Sequence, residues 1–74
     1  MNDRIGIDPA ICHGKPVVLG TRTPVTVVLD ALAGGDTFEM IQSDYDLTAD
    51  DIRACIAFAS REVKQVGYVR TAGV

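Results

Sequence analysis

Arg53, Arg61 and Lys64 recur at helical spacing with the small residues Ala57 and Ser60 between them, so a helix over residues 48–64 would carry one basic, closely approachable face. The chemistry open to such a face is electrostatic. Guanidinium and ammonium groups neutralise phosphates or reach base edges, and small side chains let the helix backbone approach a groove. A solvated helix face has the same composition, so Arg53, Ala57, Ser60, Arg61 and Lys64 stand here as candidate DNA-binding residues. The adjacent pair Cys12 and His13 raises two other chemistries, a metal site or a nucleophile with its base. Neighbours in a loop rarely converge on one ion, no second Cys or His cluster completes a site, and Cys55 falls on an apolar helix face. Asp44, Asp46, Asp50 and Asp51 fit a turn and a helix cap better than a metal cluster. Lys15 lacks the spacing of a phosphate-binding loop. The expectation is therefore a protein with no catalytic residue, no metal and no cofactor, and not an enzyme.

The elements that must position the basic face follow from the pattern around it. Ile52, Cys55, Ile56, Ala59 and Val63 form an apolar stripe along residues 49–64, and Thr48 with Asp51 three positions later is a capping-box start. Asp50 and Asp51 suit the positive end of a helix dipole. Upstream, Phe38, Ile41 and Tyr45 mark the inner side of a short helix over about 38–43, with Thr37 as its N-cap. A short helix, a tight turn and a longer capped helix are the order of a helix-turn-helix. Before these lies a helix over about 24–33, with Thr23 as N-cap, Pro24 in its first position and Gly34-Gly35 closing it. It is apolar on nearly every side, leaving only Thr26 and Asp30 polar, and a domain this small has few elements to surround it. Part of it should meet a second copy or a partner, with Val18, Val25, Val28, Leu29 and Leu32 as the candidate dimer interface. Two short extended runs, Arg4-Ile5-Gly6-Ile7 and Pro16-Val17-Val18-Leu19, give a hairpin over residues 4–23. Arg22 in the Gly-Thr-Arg turn reads as a structural arginine that binds carbonyls or carboxylates.

A chain of 74 residues makes one thin-cored domain, since one this small buries only roughly 60% of its unfolded surface. Residues 1–64 form that domain and 65–74 a tail. The net charge of −3 argues against indiscriminate coating of nucleic acid, but the charges are segregated. Residues 23–52 hold seven acids and no base, and residues 53–74 hold four bases against Glu62 alone. Two cysteines in unlike settings make no disulfide framework, and no apolar run has signal-peptide or membrane-spanning length. A cytoplasmic protein with no membrane partner is expected.

The ordered stretch Gly14-Lys15-Pro16-Val17-Val18-Leu19-Gly20-Thr21-Arg22-Thr23-Pro24-Val25 resembles the hallmark of the small prokaryotic domain-of-unknown-function family 433. The similarity continues through Val28-Leu29-Asp30, Ala33-Gly34, Ile41, Asp44-Tyr45, Leu47-Thr48 and Asp51-Ile52-Arg53-Ala54. Thr23 stands where Ile or Val is common, and Tyr45-Asp46-Leu47 is a residue shorter than the usual turn. The resemblance implies a mainly α, homeodomain-like three-helix fold with a short N-terminal β-hairpin. It also implies a VapB-type antitoxin role: a homodimer that inhibits a PIN-like nuclease toxin and contacts operator DNA. Toxin binding would fall to Lys64, Tyr68 and Arg70, with the Arg70 guanidinium competing with metal for the carboxylates of the nuclease. A stand-alone DNA-binding regulator and an interaction module without nucleic acid are the alternatives.

Overall fold

The computed structural model describes residues 4–65. The chain runs through β1 (Ile5–Ile7), a short left-handed turn, β2 (Pro16–Val18), α1 (Val25–Ala33), α2 (Phe38–Tyr45) and α3 (Ala49–Gln65). This is a mainly helical domain of three helices behind an N-terminal β-hairpin, with α2 and α3 arranged as a helix-turn-helix.

The two strands pair antiparallel, with Ile5 opposite Val18 and Ile7 opposite Pro16. Their connection is long for a hairpin, and the chain takes up the excess locally. The Asp8 carboxylate accepts from the Ala10 amide at 2.9 Å, and Cys12, His13 and Gly14 all take positive φ. Gly14 and Lys15 close that turn by donating to the Ile11 and Cys12 carbonyls at 3.1 Å. The reversal therefore centres on Cys12–Gly14.

Helix α1 starts one residue later than the sequence suggests, and Thr23 does not cap it. Pro24 stays extended as the flanking residue, because Thr23 and Pro24 are held beside β2: Val18 donates to the Thr23 carbonyl at 3.0 Å and Val17 bridges Pro24. The capping-type hydroxyl in this turn belongs to Thr21, which accepts from the Thr23 amide at 3.0 Å. At the other end Gly35 takes a φ of +99°, where any side chain would be strained, and Gly34 donates to Asp30 as the helix closes. The Thr37 hydroxyl caps α2 by accepting from the Met40 amide at 3.1 Å, as expected. Helix α2 runs two residues past its expected end, to Tyr45, and stops where Asp46 enters the left-handed region (φ 56°) and donates back to Gln42. That single left-handed residue turns the chain toward α3. The capping box of α3 is complete: the Thr48 hydroxyl accepts from the Asp51 amide at 3.1 Å, and the Asp51 carboxylate accepts from the Thr48 amide at 3.0 Å.

The core joins Val18, Val25, Val28, Ile41, Leu47, Ile52 and Cys55, with Ile5, Leu29, Leu32, Phe38 and Phe58 packed around it. Hairpin and three helices thus share one cluster. The inner side of α3 differs from the expected stripe. Ile52 and Cys55 are fully buried, Ala54 and the half-buried Phe58 join them, and Ile56 and Val63 are exposed. Tyr45, expected inside, is exposed at the end of α2. Both differences have the same cause: the inward direction of a helix is set by where its neighbours lie, and several apolar residues occur on the flanks of α2 and α3.

Candidate nucleic-acid interface

Helix α3 places Arg53, Ala57, Ser60, Arg61 and Lys64 on one exposed strip, spanning roughly 100° of its circumference at about 100° per residue. The strip lies opposite buried Cys55, so the same helix that anchors the core also displays these groups. Arg61 and Lys64 make no ion pair or hydrogen bond among the described residues, and Lys64 stands in the last turn, where a cation suits the helix dipole. Exposed Ile56 and Val63 flank the strip on one side.

Arg53 is placed differently. Its Nη1 donates to Asp50 Oδ1 at 2.8 Å, and its guanidinium carbon lies 5.9 Å from the centroid of the Phe38 ring. Asp50 is also 3.9 Å from Arg4, whose Nη1 donates to Asp51 Oδ1 at 3.0 Å. Arg4 therefore ties the edge of the hairpin to the first turn of α3. Partial burial pushes the Asp51 carboxyl up, but the Thr48 amide and hydroxyl and the Arg4 guanidinium outweigh it and hold the group below its usual range. One turn further on the same side of the helix, burial raises the Cys55 thiol, with help from the Asp51 carboxylate, to about 11, so it packs as a neutral apolar group.

The Gly-Thr-Arg turn predicts a structural arginine at Arg22. The Arg22 side chain is exposed and makes no ion pair among the described residues; only its carbonyl is used, accepting from Cys12 Sγ at 3.6 Å. The arginine that braces the fold is Arg4. No local pattern signals it, because its partner Asp51 lies 47 positions away. The Asp50–Arg53 pair is not among the sequence expectations, although a signal for it exists, since residues three apart on a helix are neighbours.

Of the candidate dimer residues, Val18, Val25 and Val28 are buried in the core of the single chain and offer no surface to a second copy. The domain's own core consumes them because the hairpin and α3 both pack on α1. Leu29 and Leu32 keep partial exposure. Lys64 is exposed, while Tyr68 and Arg70, the other candidate toxin-binding residues, lie outside the described residues. Among the described residues no group of three or more His, Cys, Asp or Glu side chains is placed to hold a metal ion, and no helix is long and apolar enough to cross a membrane.

A family model described as protein of unknown function (DUF433) matches residues 5–59. A crystal structure of a DUF433 member protein from Anabaena variabilis superimposes with a TM-score of 0.77 at 26% identity. The match covers 88% of this chain and 65% of that one, so this chain spans a little less than two thirds of its relative's length. No curated protein matches.

Proposed function

The chain belongs to the DUF433 family, and from that premise we propose a DNA-binding regulator that serves as the antitoxin of a type II toxin–antitoxin pair. In this reading it acts in the cytoplasm, binds and inhibits a PIN-like nuclease toxin, and represses its own operon through α3. One observation carries the DNA half: Arg61 and Lys64 stand exposed on the second helix of a helix-turn-helix, opposite its buried side. With a net charge of −3, contact depends on this local strip rather than on overall attraction. A homodimer presenting two strips to two half-sites doubles the phosphate contacts, and half-exposed Leu29 and Leu32 are the surface that supports it. The toxin half rests on the family's resemblance to VapB-type antitoxins and is assigned to Lys64, Tyr68 and Arg70.

The helix-turn-helix supports a stand-alone regulator equally well, and two experiments separate the readings. Co-expression with the adjacent gene should give a complex that co-purifies and silences ribonuclease activity. A mobility shift with the chain's own upstream DNA should weaken with salt. Salt-sensitive binding with no co-purifying neighbour would leave the stand-alone regulator, and neither result would reject both.

A further inference from the structure

The outward strip of α3 is electrostatically divided. In its first turn Asp50 stands exposed on the side of the strip, so a phosphate approaching there meets a carboxylate, whereas Asp51 is turned inward and bonded to Thr48 and Arg4. Of the two cations at that end, Arg4 is bonded to Asp51 at 3.0 Å, and Arg53, the one on the strip itself, is bonded to Asp50 at 2.8 Å and lies over the Phe38 ring. Moving it to a phosphate would exchange one anionic partner for another and give up the ring contact, for little net gain. Arg61 and Lys64, two and three turns further on, face solvent with no such competitor among the described residues.

We infer that Asp50 holds Arg53 out of the nucleic-acid contact, so that the surface meeting the duplex is the C-terminal half of α3, through Ala57, Ser60, Arg61 and Lys64. The contact is then chiefly with phosphates, unlike a helix-turn-helix whose recognition helix reads bases with its N-terminal residues. Asp50 acts as a positioning residue. This rests on the nucleic-acid reading proposed above.

Fluorescence anisotropy with a labelled duplex from the chain's own upstream region, at low salt, tests it. Arg53→Ala should leave Kd within about twofold, whereas Arg61→Ala should weaken binding about fivefold or more. Asp50→Asn should tighten binding about threefold by freeing Arg53, and in the Asp50→Asn, Arg53→Ala double variant that gain should fall to the small net-charge effect alone. Asp44→Asn, with the same charge change on α2, controls for net charge and should give a smaller gain that persists when Arg53 is removed. An Arg53→Ala loss equal to that of Arg61→Ala, or an Asp50→Asn gain no larger than that of Asp44→Asn, would overturn the inference while leaving DNA binding intact. Failure of the wild type and Asp50→Asn alike to bind any duplex would overturn the nucleic-acid reading itself, and the division with it.

Discussion

Residues 48–55 of α3 and its capping turn are tied to the rest of the chain, whereas residues 56–65 carry most of their side chains in solvent. The first segment holds the capping box, the Arg4 bridge, the Asp50–Arg53 pair and the buried Ile52, Ala54 and Cys55. In the second, Phe58 and Ala59 are half-buried and Ile56, Ala57, Ser60, Arg61, Glu62, Val63 and Lys64 are exposed. One helix thus separates two jobs along its length. Its first half fixes the fold, and its second half is free to carry interactions whose loss leaves the fold standing.

That separation makes the two halves respond differently to the same kind of substitution. Ile52→Ala removes a fully buried side chain and should cost about 2–5 kcal/mol in denaturant unfolding, enough to leave so small a domain largely unfolded. Thr48→Ala removes the hydroxyl half of the capping box and should cost about 1 kcal/mol. A smaller effect comes from pH. The folded Asp51 carboxyl sits below its unfolded value of about 4, so its contribution is complete above that pH and is lost as pH falls through the lowered folded value. Asp51→Asn should be less stable at neutral pH and should show a shallower further loss in acid, read from melting temperatures across the acid range. Smallest of all, Ile56→Ala should stay within about 0.5 kcal/mol of wild type, because its side chain is already exposed. If Ile56→Ala cost as much as Ile52→Ala, the two halves would not be distinct.

The features that were legible in the sequence are those whose physics is local. The Thr37 cap, the Thr48–Asp51 capping box and the Gly34-Gly35 stop each depend on a few consecutive residues, and each formed as expected. The order of hairpin and helices followed from the same signals. What failed depended on distant neighbours. Thr23 lost its capping role because β2 uses its carbonyl, and Val18, Val25 and Val28 left the candidate dimer surface because the chain's own core took them. Ile56, expected inside, is exposed and Phe58 packs against the core, because the position of α1 and α2 decides which flank of α3 faces inward. The basic strip itself was fully legible by spacing, and all its residues are exposed together. Its division was only half legible: the Asp50–Arg53 spacing was visible, but the Phe38 ring beneath Arg53 and the Arg4 bridge required the fold.

The most direct test of the central claim is the salt dependence of binding to the chain's own upstream DNA, compared between wild type and the Arg61→Ala, Lys64→Ala double variant. Two phosphate contacts per copy, four per bound dimer, should lower the magnitude of the slope of log K against log salt by roughly 3 to 4 in the variant, with thermal stability unchanged. An unchanged slope in a folded variant would contradict the assignment of nucleic-acid contact to the second half of α3.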